Sequence, residues 1–142
     1  MRNRKALFGS VMLTLISVQA NAADITVKIT GIASDEGMVR AALHDGAEGF
    51  PSDRQVVGGV VAQASSDGVT LIFKDVTPGR YAIAAFHDED GDEALSTNLL
   101  GIPRESFGFS NDARGFFGPP DFEEAAFDVG AEDLSLSVVF AK

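Results

Sequence analysis

Short segments of this chain alternate apolar and polar residues with a period of two. Ile25, Val27 and Ile29 alternate with Thr26, Lys28 and Thr30, and Val39, Ala41 and Leu43 with Arg40, Ala42 and His44. Val69, Leu71 and Phe73 are set against Thr70, Ile72 and Lys74, and Leu134, Leu136, Val138 and Phe140 against Ser135 and Ser137. This spacing puts one face of a β-strand in a core and leaves the other wet. Two more apolar stretches, Val56 to Ala64 and Tyr81 to Phe86, bring the strands to six. No amphipathic helix competes with them, so the expected fold is an all-β antiparallel sandwich.

The turns suggest local pairings. Asp35-Glu36-Gly37 predicts a hairpin between the first two strands, and Ser65-Ser66-Asp67-Gly68 a second one between the third and fourth. Thr77-Pro78-Gly79-Arg80 places proline and glycine where the centre of a type II turn takes them, predicting a meander into Tyr81 to His87. From Asp88 to Asp133 the chain is too long for an ordinary connection and must hold structure of its own. Phe107 to Phe109 reads as a short strand, and Phe122 to Phe127 as a helical turn or strand.

The N-terminus carries Arg2, Arg4 and Lys5, an apolar run from Ala6 to Val18, and the small-x-small sequence Ala20-Asn21-Ala22. These are the parts of a secretory signal peptide over residues 1–22, with an apolar run shorter than the about 20 residues of a membrane span. The expected product is one domain over residues 23–142, periplasmic or secreted, with no membrane span after cleavage. Losing three basic residues moves the formal charge from −10 to −13, which disfavours nucleic acid as a partner. The chain has no cysteine, so disulfides, thiol chemistry and a lipid anchor on cysteine are excluded.

The apolar stretch Tyr81 to Phe86 delivers five carboxylates in six positions, Asp88-Glu89-Asp90-Gly91-Asp92-Glu93. Asp88, Asp90 and Asp92 have the alternate spacing with which the first half of an EF-hand-like loop wraps oxygen around Ca2+. Position six is Glu93 instead of glycine and position twelve is Leu99 instead of glutamate, so Glu93, Ser96, Asn98 or a backbone carbonyl must complete the shell. The candidate calcium ligands are therefore Asp88, Asp90, Asp92, Glu93 and Ser96. The alternative is a solvated acidic turn that only keeps the protein soluble.

Six of the eleven phenylalanines, Phe107, Phe109, Phe116, Phe117, Phe122 and Phe127, fall between Gly101 and Phe127 among glycines. Phenylalanine lacks a polar handle, which favours a satellite core under the long loop. Exposed, Arg104, Phe107, Phe109, Asn111 and Phe117 would form a platform for a glycan or small ligand, or for a protein partner. His44 and His87 each precede an aspartate at a strand end, where hydrogen bonding to a loop is the commoner role. No nucleophile elbow is present, and carboxylate pairs such as Asp88 and Glu105, able in principle to act on a glycoside, are abundant in so acidic a chain.

Pro78-Gly79-Arg80-Tyr81-Ala82, His87-Asp88-Glu89-Asp90, Leu100-Gly101-Ile102-Pro103-Arg104-Glu105, Phe107-Gly108-Phe109-Ser110-Asn111 and Phe117-Gly118-Pro119-Pro120 with Phe122-Glu123 make the chain resemble the bacterial secreted proteins of domain-of-unknown-function family 2141. The resemblance covers nearly all of the chain after the leader. It implies an immunoglobulin-like or transthyretin-like β-sandwich of about seven strands with one long structured loop, export, and no assigned activity. In the family the acidic loop reads His-Asp-x-Asn-x-Asn-Gly-x-Leu-Asp. Here Asp90 and Asp92 replace asparagines, Glu93 the glycine and Ser96 the aspartate. The expected function is an exported, non-enzymatic sandwich module that binds Ca2+ weakly at residues 88–96; the alternative is a small-ligand or glycan-binding module using residues 101–127.

Overall fold

The computed structural model describes residues 21–142 apart from Asp53. The predicted leader lies almost wholly outside the described residues. Among the described residues eight strands form two sheets. The first is ordered β4 (Val69–Val76), β1 (Ala23–Thr30), β8 (Leu134–Val139), with β8 parallel to β1. The second is ordered β3 (Gly58–Gln63), β2 (Met38–His44), β5 (Gly79–Asp88), β6 (Phe107–Phe109), and β7 (Phe127–Val129) pairs with the start of β5. This is the predicted β-sandwich. Among the described residues every strand lies between Ala23 and Val139.

The alternation assigns faces as expected. Ile25, Val27 and Ile29 of β1, Val39 and Leu43 of β2, Leu71 and Phe73 of β4, and Val138 of β8 fill the space between the sheets. Strand β5 is buried on both faces, which explains its unbroken apolar sequence. Tyr81, Ile83 and Ala85 enter the main core, while Ala82 and Ala84 face a second cluster of Phe109, Phe122, Ala125, Ala126 and Phe50. Residues of the long loop therefore fold back over the outer face of the second sheet. Besides β6 and β7, this loop holds a helical turn, α1 (Phe122–Ala125), with a capping box between Asp121 and Glu124.

The local pairings are not those predicted. Strands β1 and β2 belong to different sheets, and so do β3 and β4, so neither pair is a hairpin and β3, β4 and β5 are not a meander. Alternation specifies which face is buried but not which neighbour supplies the hydrogen bonds. The segment Asp35-Glu36-Gly37 is an arch between sheets. Its carbonyls bond elsewhere: Asp35 and Gly37 accept from the Gln63 side chain, Gly37 also from the Ala64 N–H, and Glu36 from His87. Gly79 is likewise not the centre of a type II turn. It pairs with Val129 as the first residue of β5 and does not take positive φ; the left-handed residue nearby is Asp75 (φ 53°), inside β4 where its register with β1 shifts.

Gly37 ties the arch to the end of β5. Its φ is +73°, and a Cβ there would lie 2.1 Å from the Asp88 carbonyl oxygen and 2.8 Å from the Glu89 Cα. Both contacts are with backbone that cannot rotate away. Gly37→Ala is expected to lower stability by about 2–4 kcal/mol in chemical denaturation, combining left-handed strain with overpacking. A variant within about 0.5 kcal/mol of wild type, the scatter of ordinary surface changes, would show that the arch yields freely.

Candidate metal centre

Strand β5 ends in Asp88, whose side chain is fully buried. The cross-strand partner of Phe86 is Arg40 on β2, so Arg40 and Asp88 are diagonal neighbours on one sheet face. The Arg40 Nε donates to Asp88 Oδ2 at 2.6 Å, and the Glu93 N–H donates to the same oxygen at 3.2 Å. Burial alone would push the Asp88 carboxyl up. The hydrogen bond and charge of Arg40, with the N–H groups of Glu93 and Gly91, outweigh it and hold the group below the ordinary aspartate range. Asp88 is therefore an anion at neutral pH, and its Oδ1 is buried without a hydrogen-bond partner among the described residues.

Two further carboxylates converge on it. Asp88, Asp90 and Glu105 each offer an oxygen, and these oxygens lie within 4.8 Å of one another. Glu105 is buried, and its oxygens accept the N–H of Glu89 at 2.9 Å and of Ser96 at 3.0 Å, stapling the two ends of the acidic loop. Asp90 accepts the Asp92 N–H at 3.1 Å and the Ser96 hydroxyl at 3.3 Å. Each of these oxygens keeps a lone pair free. Three anionic groups so close, with Arg40 paired to one of them, are an arrangement that a hard divalent cation relieves.

Of the five candidate calcium ligands, the structure brings Asp88 and Asp90 together with an oxygen from outside the loop. Asp92 caps the Ala94 N–H at 2.9 Å, the Glu93 side chain pairs with Arg40 at 3.3 Å, and Ser96 serves Asp90. Glu93 has φ 66°, the left-handed conformation for which glycine is the usual residue. The loop thus keeps its bend at position six despite the glutamate. Glu105 stands seventeen residues after Asp88 and is returned to it by the hairpin between Ser96 and Arg104, where Ser96 C=O accepts the Arg104 N–H at 2.8 Å. In the sequence it figured only as half of a carboxylate pair.

The phenylalanines divide. Phe109, Phe122 and Phe127 are buried and Phe107 is half-buried, whereas Phe116 and Phe117 are 91% and 96% exposed with rings edge to face at 4.6 Å. A shallow cleft of about 140 Å³ lined by Phe107, Asp112, Arg114 and Gly115 lies beside this pair. Asn111 of the suggested platform is occupied otherwise: its amide donates to the carbonyls of Glu124 and Ala126. Ser110 is buried, accepting the Ile83 N–H at 2.9 Å and donating to the Ala125 carbonyl. Asp112 accepts the Val139 N–H at 2.9 Å. The Phe-Ser-Asn sequence is thus a clamp joining β5, α1 and β8.

Fold and site together define a two-sheet β-sandwich with a carboxylate cluster able to hold a metal ion. The chain belongs to the bacterial family described as uncharacterized protein conserved in bacteria, domain of unknown function 2141, which matches residues 27–137. No curated protein and no solved structure matches the chain. Among the described residues no helix is long and apolar enough to cross a membrane.

Both histidines are fully buried, and neither lines this cleft or the one between β3 and the end of β4. The Nε2–H of His87 donates to the Glu36 carbonyl at 2.6 Å, holding the arch, and its Nδ1 lies 3.6 Å from a Glu89 oxygen. His44 packs edge to face on Phe50 at 5.2 Å, and neither of its nitrogens has a partner among the described residues. Burial lowers its pKa from the ordinary 6.5, opposed only by the Asp45 charge. The sign follows: below about pH 6.5 the unfolded chain takes up a proton that folded His44 refuses, so stability falls as pH drops. Thermal unfolding between pH 7.5 and 5.5 is expected to show this slope reduced in His44→Leu; an unchanged slope would mean that His44 does not carry it.

Proposed function

We propose that the protein is an exported, non-enzymatic β-sandwich module that binds one calcium ion at Asp88, Asp90 and Glu105. The observation that carries this reading is Asp88 Oδ1, a buried anionic oxygen without a hydrogen-bond partner among the described residues that belongs to a three-carboxylate cluster. An oxygen left so costs on the order of 1–3 kcal/mol, more for a charged group, unless something supplies positive charge. The chemistry favours calcium. Calcium takes oxygen ligands at about 2.3–2.6 Å in flexible geometry, whereas magnesium at about 2.0–2.1 Å demands near-ideal octahedral geometry and gives up its waters reluctantly. Three protein carboxylates with water completing the shell suit the weak end of the calcium range, Kd of about 10⁻⁴–10⁻³ M. The leader-like sequence before Ala23 supports export, and the two buried imidazoles support a non-catalytic role.

At ten times Kd a ligand specific to the folded state adds about 1.4 kcal/mol, or several degrees of Tm for a domain of this size. Thermal unfolding of the chain from Ala23 is expected to show that rise with millimolar calcium, less with magnesium and none with chelator. Glu105→Gln combined with Asp90→Asn should abolish it. The absence of any calcium-specific rise in the wild type would sink the proposal.

A second reading, a glycan-binding module, is favoured by one observation: the exposed Phe116 and Phe117 rings beside a cleft edged by Arg114. Sugars stack on such faces. Insoluble peptidoglycan should then pull down the wild type, and Phe116→Ala with Phe117→Ala should lose that binding without a change in Tm. Equal sedimentation of both proteins removes the reading.

A further inference from the structure

The segment between Ser96 and Arg104 combines two properties that rarely coincide in water. Its tip exposes large aliphatic side chains, Leu99 at 103%, Leu100 at 83% and Ile102 at 55%. Its backbone is nevertheless closed on itself. Asn98 Oδ1 accepts the N–H of Leu100 at 2.9 Å and of Ile102 at 3.0 Å, and the Asn98 and Gly101 N–H groups bond to Ile102 C=O and Asn98 C=O. Thr97 bridges to Pro103, the Arg104 N–H reaches Ser96 C=O, and Pro103 has no N–H. From Asn98 to Arg104, Leu99 alone has an amide without an acceptor among the described residues. Apolar side chains outside and bonded N–H groups inside lower the cost of placing a chain at an apolar boundary.

The base of this finger is polar and belongs to the carboxylate cluster. Glu105 follows it directly and fixes the Ser96 N–H, while the Ser96 hydroxyl donates to Asp90. Arg104 is exposed and has no ion pair among the described residues. Asp92 and Glu93 on the same loop are exposed as well. Without a bound cation this rim repels anions; with one, the cation and Arg104 offer two positive groups beneath an apolar tip.

We propose that residues 96–104 form a finger that docks on anionic phospholipid when the cluster holds calcium. Leu99, Leu100 and Ile102 enter the acyl boundary, and the cation and Arg104 meet the headgroup phosphates. A second copy of the chain fits less well, because a stable dimer covers about 20–30 residues and about 800 Å² per partner, far more than three side chains on one tip provide. The calcium dependence rests on the cation reading above, whereas the insertion of the tip does not.

The test is co-sedimentation of the leader-processed protein with 3:1 phosphatidylcholine–phosphatidylglycerol vesicles and with pure phosphatidylcholine vesicles. Each is run in millimolar calcium and in chelator, alongside thermal unfolding and size-exclusion chromatography. The expected result is calcium-dependent binding to the anionic vesicles, weakened at least tenfold in a Leu99→Ser, Leu100→Ser, Ile102→Ser variant that keeps the calcium-induced rise in Tm. Arg104→Gln should weaken binding several-fold. A calcium-induced rise in Tm without vesicle binding, or equal binding by the triple variant, overturns the finger and leaves the cation site standing. Vesicle binding that persists in chelator, with no rise in Tm, overturns the cation reading and the calcium dependence. A calcium-dependent dimer lost in the triple variant assigns the tip to a second copy and overturns the lipid.

Discussion

A negative charge buried at the end of the central strand organises one whole end of this sandwich. The Asp88 carboxylate has left water entirely, and a bare anion in such a place is costly. Arg40 from the neighbouring strand and the Glu93 N–H answer that cost on one oxygen, and the Gly91 backbone adds to it. To deliver its N–H there the loop must bend back within five residues, and Glu93 takes the left-handed conformation that the bend imposes. The same bend brings Asp90 beside Asp88, and Glu105 fastens the loop at both ends. The remaining Asp88 oxygen has no hydrogen-bond partner among the described residues.

The neighbouring parts support this end of the strand. Gly37 lets the arch between the sheets lie directly against the Asp88 carbonyl, and His87 holds that arch through Glu36. Farther down β5, the clamp of Ser110, Asn111 and Asp112 presses α1 and β8 against the second sheet. The sequence pieces on which the family resemblance was drawn therefore have distinct physical tasks. The piece ending in Glu105 completes the carboxylate cluster, and Phe-Ser-Asn is structural. Their shared dependence on β5 explains why a long irregular segment can be held so closely without a disulfide.

Much of the fold was legible in the sequence. The alternation in β1, β2, β4 and β8 fixed which side chains face the core, and the unbroken apolar run of β5 reflected burial on both faces. The short strand at Phe107 was readable, and Phe122 to Phe127, read as a helical turn or strand, holds both α1 and the start of β7. The pairing of neighbours was not, because an arch and a hairpin use the same turn residues and differ only in where the backbone hydrogen bonds go. Two of the three carboxylates of the candidate site were readable too, through the alternate aspartates at 88 and 90.

What the sequence determined by itself was local: strand faces, chain punctuation, charge, the absence of thiol chemistry, and the position of an acidic loop at a strand end. These follow from residue type and spacing over a few positions. Only the tertiary structure decided that Glu105 rather than Glu93 or Ser96 joins the aspartates, that Arg40 occupies one oxygen of Asp88, and that Phe116 and Phe117 lie outside while Phe109 and Phe122 lie inside. Each of these depends on segments far apart in the chain meeting on one sheet face, and sequence spacing carries no information about such meetings. The physical reason is that a buried charge selects its partners by distance in space.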